Sequence, residues 1–138
     1  MNMKKILRGR SIAKGIGEGE ALVTKESIGF NAGVNPDTGI VVEYGHELQG
    51  ICISGKVLVF SGGKGSTGGS WTILRMSDQG TAPVAMINVE TEPIVAVGAI
   101  LSKIPLVDKL DQDPTRVIKT GDFVKVDANK GEVIFNHK

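Results

Sequence analysis

Apolar positions in this chain come in short bursts separated by glycine. Residues 5–8 and 19–23 read as short strands, set among Gly9, Gly15, Gly17 and Gly19. Gly55-Lys56-Val57-Leu58-Val59-Phe60 is a β-branched and aromatic run opened by glycine, the pattern of a buried strand. The loop Gly62-Gly63-Lys64-Gly65-Ser66-Thr67-Gly68-Gly69-Ser70 follows at once. Residues 70–78 then place Trp71, Leu74 and Ile73 at helical spacing, and Gly80 supplies a stop. Ala82-Pro83-Val84-Ala85-Met86-Ile87-Asn88 predicts a second buried strand. Residues 94–101 predict a short helix with Pro93 in its first turn, and residues 104–107 a third strand. Residues 30–39, rich in Asn, Gly, Pro and Asp, form a long polar loop, and Pro114 falls in a charged linker. From Thr120 to Phe135 apolar and polar residues alternate around Asn129-Lys130-Gly131, a hairpin signal.

These elements sum to a β-rich α/β fold, with short strands flanked by two short helices and hairpin material at both ends. At 138 residues the expectation is a single domain, 1–138. Aromatics are 4% of the chain, so the core must be built from Val, Ile, Leu, Ala and Met. The 19 glycines show no collagen-like period and suit tight turns instead.

Charge adds little. A net charge of +1, with no basic stripe, gives no electrostatic case for nucleic acid or a membrane surface. The start of the chain has positive charge but no apolar stretch behind it, and no apolar run is long enough to span a bilayer. A soluble cytoplasmic protein is expected. One cysteine, Cys52, excludes an internal disulfide. In Ile51-Cys52-Ile53 it reads as a small buried residue.

A strand running through glycines into a helix presents backbone N–H groups, and the helix dipole, to an anion. Three functions use that arrangement. A nucleotide P-loop needs Gly-Lys followed directly by Ser or Thr, whereas here Gly63-Lys64 is followed by Gly65. A mobile phosphohistidine domain needs a histidine in the loop. His46 sits instead in a turn-like stretch, where it reads as solvated or capping, and His137 is penultimate. The third is a serine acting as a base, its alkoxide stabilised where N–H donors converge at the helix start. Ser66 is placed for that, with Lys64 helping if it points inward. Ser66, Thr67 and Ser70 are equally good helix-capping residues, so spacing alone supports an anion-friendly helix start.

Gly45-His46-Glu47-Leu48-Gln49-Gly50, Ser54 to Phe60, and Gly63-Lys64-Gly65-Ser66-Thr67-Gly68-Gly69-Ser70 resemble the small subunit of the aconitase X family. Asn35-Pro36-Asp37-Thr38-Gly39, Ala82-Pro83, and Gly98-Ala99-Ile100 before Ile104-Pro105 continue the likeness, which spans roughly residues 9–133. The resemblance implies a swivelling β/β/α domain. It also implies a separate large subunit that holds an iron-sulfur cluster (4Fe-4S) through its own cysteines; Cys52 alone cannot supply them. The activity it implies is dehydration, with the cluster acting as a Lewis acid on the leaving hydroxyl. For members of archaeal type the reaction converts (R)-5-phosphomevalonate to trans-anhydromevalonate 5-phosphate, in a modified mevalonate route to isoprenoids. Related members dehydrate cis-3-hydroxy-L-proline, and a non-catalytic assembly module could keep the same fold. By the resemblance Ser66, after Gly63-Lys64-Gly65, is the proton-abstracting base, and Lys64, Gly65 and Thr67 lie against the substrate. Thr67-Gly68-Gly69 stands where serines are commoner in the family, and Ser61 where a proline is expected. Arg75, on the following helix, reads as a surface residue.

Overall fold

A computed structural model describes residues 4–136. His137 lies outside them. Among the described residues the chain forms ten strands and four helical segments. The strands are β1 (Lys5–Arg8), β2 (Arg10–Ala13), β3 (Ile16–Val23), β4 (Val34–Asn35), β5 (Ile40–Val41), β6 (Val57–Phe60), β7 (Ala85–Asn88), β8 (Leu106–Asp108), β9 (Phe123–Asp127) and β10 (Glu132–Asn136). The helical segments are α1 (Phe30–Gly33), α2 (Gly68–Gln79), α3 (Pro93–Ser102) and α4 (Pro114–Val117).

Eight strands make one sheet in the order β1-β10-β9-β3-β6-β7-β8-β2, while β4 and β5 form a separate two-stranded ribbon. The middle of the large sheet, β3-β6-β7-β8, is parallel. Its flanks are antiparallel, and the expected hairpin is β9-β10, with Glu132 opposite Asp127. The two strands at opposite ends of the order, β1 and β2, are separated in the chain by Gly9 alone, so the sheet must curl until its ends meet there. Gly9 fits that seam because it has no side chain. Its N–H donates to Gly131 O at 2.8 Å, and a Cβ would stand 2.4 Å from Asp108 O.

Curling gives the sheet an inside and an outside. Alternation along β6 sends Val57 and Val59 inward, to Ala21, Ala85, Ile87 and Val126. Leu58 and Phe60 point outward, to Ile73 and Met76 of α2 and Val95 and Ala99 of α3. Central parallel strands are therefore apolar on both faces, as β6 and β7 are, with every residue buried. The Phe60 ring meets Phe30 edge-on at 5.9 Å, anchoring the segment after β3 to the outer layer.

Several expectations need correction. β2 lay hidden in the glycine-punctuated start, β3 begins at Ile16, and the Pro114 linker holds a one-turn helix capped by Asp113, whose carboxylate accepts from the Thr115 N–H. The polar stretch at 30–39 is ordered as α1 and β4. On α2 the buried positions are Gly69, Ser70, Ile73 and Met76, while Trp71 is 67% exposed and Leu74 half-buried. Close contact with α3 sets this rotation. The Ser70 hydroxyl donates to Ile94 O at 2.6 Å, and a Cβ on Gly98 would stand 2.8 Å from Ile73 Cδ1. An interface that tight leaves no room for an indole. Cys52 is exposed, because only Ile53 of its triplet turns into the core; Cys52 bridges Ile40 on the outside. His46 is buried, not solvated. Its Nδ1 accepts from the Leu48 N–H and its Nε2 lies 3.0 Å from Ser27 O, so both ring nitrogens serve the turn around them.

Candidate active site

Parallel strands β3, β6, β7 and β8 end on one side of the sheet, the side where open α/β sheets place their ligands. The glycine loop runs from the end of β6 to the start of α2 on that side. Two neighbouring loops fix it. The loop after β3 lies alongside it in a parallel bridge between Ile28 and Gly63: Ile28 N–H donates to Gly62 O at 3.0 Å, and Lys64 N–H to Ile28 O at 3.2 Å. The loop after β7 holds the other flank, with the amides of Val89 and Glu90 both donating to Ser61 O. Glu92, from that loop, caps α3 through the N–H groups of Ile94 and Val95. Its carboxylate sits so near Gly63 that a Cβ there would be 2.2 Å from Oε1.

Ser66 is exposed at the end of this loop. The donor at its Oγ is a side chain: Asn31 Nδ2 donates to it at 2.6 Å. Thr67 is the N-cap residue of α2, yet its hydroxyl makes no capping bond, and among the described residues no acceptor meets the amides of Ser66, Thr67 and Gly68. The capping role expected of Ser66, Thr67 and Ser70 is therefore not what these hydroxyls do. Ser66 accepts from Asn31, Thr67 is free to meet a ligand, and Ser70 ties α2 to α3. Gly65 adopts φ +90°, a left-handed backbone suited to glycine, and its surroundings are open.

Lys64 does not point at Ser66 Oγ. Its Nζ lies 2.8 Å from Glu43 Oε2 in a partly exposed ion pair. Such a pair is worth no more than about 1 kcal/mol, so an arriving anion can draw the ammonium away. Lys64, Gly65, Gly29, Asn31 and Glu43 line a shallow pocket of about 280 Å³ beside the serine. Arg75 pairs with Asp37 at 3.0 Å on the surface, tying α2 to the turn before β5.

A second concavity, about 290 Å³, begins at Thr67 and runs between α2 and α3, lined by Trp71, Pro93, Ile94, Val97 and Leu101. α3 is apolar nearly all round, a composition usual for a fully buried helix, yet Val97, Ile100 and Leu101 are about half exposed.

Among the described residues no three His, Cys, Asp or Glu side chains come together as a ligand set, and Cys52 stands by itself. Among the same residues no helix is long and apolar enough to cross a membrane.

Asn31 is the site residue that the sequence reading passed over. Nothing in its local pattern marks it, because its meeting with Ser66 is created by the Ile28–Gly63 bridge.

This curled, partly parallel sheet with two helices on its outer face and a glycine loop opening α2 is a swivelling domain. The aconitase X swivel domain model matches residues 6–135, and the chain belongs to that family. It is 52% identical over 124 residues, 90% of each chain, to the phosphomevalonate dehydratase small subunit of Methanococcoides burtonii. To that of Methanosarcina acetivorans it is 54% identical over 127 residues, 92% of this chain and 88% of the other. Among solved structures it resembles the holo-form of Thermococcus kodakaraensis aconitase X, with a TM-score of 0.90 and 46% identity, covering 95% of this chain and 98% of that one.

Proposed function

We propose that this chain is the small subunit of a phosphomevalonate dehydratase and that Ser66 is its proton-abstracting base. The observation that carries the reading is the exposed Ser66 Oγ, held by a donor at the mouth of α2 on the side where the parallel strands end. About 50% identity to named small subunits over nine-tenths of the chain supports the substrate.

In the reaction the Ser66 alkoxide takes a proton from the carbon beside the carboxylate of (R)-5-phosphomevalonate. Hydroxide leaves the neighbouring carbon, the electron pair forms the double bond, and trans-anhydromevalonate 5-phosphate results. The free amides at residues 66–68, the exposed Gly65 and the uncommitted Thr67 hydroxyl suit the substrate's negative groups. Lys64, once released from Glu43, adds a positive charge. The iron-sulfur cluster belongs, in this reading, to the large subunit, since this chain has a single cysteine, Cys52, and no ligand set gathers among the described residues. The enzyme works in the cytoplasm, as expected for small-molecule metabolism.

The test is reconstitution. This chain and a cluster-bearing large subunit are purified separately, combined anaerobically, and assayed with (R)-5-phosphomevalonate and with cis-3-hydroxy-L-proline. Turnover of the first substrate is expected, and only when both chains are present. A stable pair that turns over neither substrate overturns the proposal, and a preference for hydroxyproline overturns the substrate.

The large subunit closes over Ser66, and the apolar groove starting at Thr67 adjoins that opening, so the same partner covers both. Trp71→Asp is therefore expected to weaken the association of the subunits by about tenfold or more, since placing a charge in a desolvated contact costs upwards of about 1.4 kcal/mol. Titration calorimetry reads it, and an unchanged dissociation constant sets the groove outside the interface.

A further inference from the structure

We infer that Asn31 is a positioning residue for the reaction, the donor that holds Ser66 Oγ and stabilises it as an alkoxide. The inference rests on the reading of Ser66 as the base and goes beyond it. Asn31 Nδ2 donates to Oγ at 2.6 Å, so the hydroxyl accepts there and its own proton points elsewhere. When that proton departs, the same bond becomes a charge-assisted one, which shortens and strengthens. A donor to the charged form lowers the energy at which that form appears. An amide suits the task. A carboxylate in its place would repel the alkoxide, and a flexible lysine would not be held in one position.

An ordinary surface hydrogen bond between two exposed side chains contributes little to stability, yet this one is held by three independent features. Ile28 bridges Gly63, which sets the path of the chain three residues before Asn31. Asn31 itself (φ −70°, ψ 116°) and Ala32 (φ 66°, ψ −8°) take the two central conformations of a type II turn, with alanine in the place that favours glycine. Finally, the amide lies directly on the Cα of Gly68. A Cβ there would stand 2.9 Å from Asn31 Cγ and 3.0 Å from both Nδ2 and Oδ1. Any larger residue at position 68 would push the amide off the serine. The helix start is thus cut away at the place where the donor passes.

The experiment uses the reconstituted pair with (R)-5-phosphomevalonate and reads kcat and KM against pH for Asn31→Ala, Asn31→Asp and Ser66→Ala. Circular dichroism and co-elution with the large subunit control for folding. Removal of an oxyanion donor predicts a fall in kcat of about 100-fold for Asn31→Ala, with KM changed by no more than about threefold. The rising limb of log kcat is expected to move to higher pH, because the alkoxide has become harder to form. Asn31→Asp keeps the shape but brings an acceptor and a charge, and should fall at least as far. If Asn31→Ala and Asn31→Asp both stay near wild-type rates at every pH while Ser66→Ala is inactive, the role given to Asn31 is wrong and the base stands. A uniform loss in the Asn31 variants with an unmoved pH limb also overturns it, leaving a structural contact. Turnover by Ser66→Ala overturns the underlying base assignment itself.

Discussion

Replacing Ser66 by alanine is expected to lower kcat of the reconstituted pair by about 10³-fold or more, with KM nearly unchanged. The magnitude follows from the base role. A positioned general base contributes about 10²–10⁴-fold, and no neighbouring side chain can stand in. Lys64 Nζ lies against Glu43 and, once released, meets the substrate's negative charge instead of taking a proton, and the Asn31 amide donates rather than accepts at this position. The small effect on KM follows from what remains, since the free amides at residues 66–68 are main-chain groups that alanine preserves. Assembly should be untouched. Ser66 is exposed and its hydroxyl bonds to the Asn31 side chain, so its loss removes no core packing. The variant should therefore co-elute with the large subunit while failing to exchange the substrate's α-proton with deuterated solvent. Near-normal turnover, or normal exchange with blocked water loss, removes Ser66 from the proton-transfer step.

What could be read in the sequence, and what could not, divides along one physical line. The strand-glycine-helix order placed Ser66 at the mouth of α2 because it is a local pattern: a buried run, then glycines, then helical spacing ended by Gly80, whose αL conformation closes α2 onto Met76 and Ser77. The β9-β10 hairpin was legible for the same reason. Curling of the sheet was not, since it depends on β1 and β2 joining opposite ends of the strand order through Gly9, and no periodicity announces that. Asn31 escaped because 35 residues separate it from Ser66 and its own loop is polar and aperiodic. Trp71 misled because large apolar residues are normally read as core. Here the core side of α2 is set by small residues, Gly69 and Ser70, that let α3 approach. Cys52 and His46 exchanged their expected environments, since whether a short turn faces inward depends on what packs over it. Family resemblance reached further than periodicity, because it carries long-range arrangement that a single sequence does not express locally.

Removing the carboxylate of Asp108 should produce a large loss of stability. Its side chain is fully buried at the end of β8, beside the strand ends that support the site. Arg10 grips both oxygens, Nε to Oδ1 at 2.9 Å and Nη2 to Oδ2 at 2.8 Å, and the Thr91 N–H donates to Oδ2 at 2.7 Å. Thr91 in turn donates to Asn88 Oδ1, and Asn88 to Phe60 O, so the carboxylate links the seam at β2 to the end of β6, where the glycine loop begins. Burial pushes the Asp108 carboxyl up, but the bonds from Arg10 and the Thr91 amide outweigh it and hold it below the usual carboxylate range. Asp108→Ala leaves the Thr91 N–H without its acceptor and opens a small cavity, while half-exposed Arg10 can turn to water. The expected destabilisation is about 3 kcal/mol, at the low end for breaking a buried ion pair, or a fall in Tm of roughly 10 °C for a chain of this size. The sign with pH follows from a depressed folded value. The contribution is fully present above the unfolded carboxyl pKa of about 3.9 and disappears as pH falls through the lower folded one. The gap between wild type and Asp108→Ala should therefore be widest near neutral pH and narrow below about pH 4. Thermal unfolding followed by circular dichroism at pH 7 and at pH 3 reads both effects. A difference in Tm that does not change between them would mean that the stabilisation comes from packing around β8 and not from the charge on Asp108.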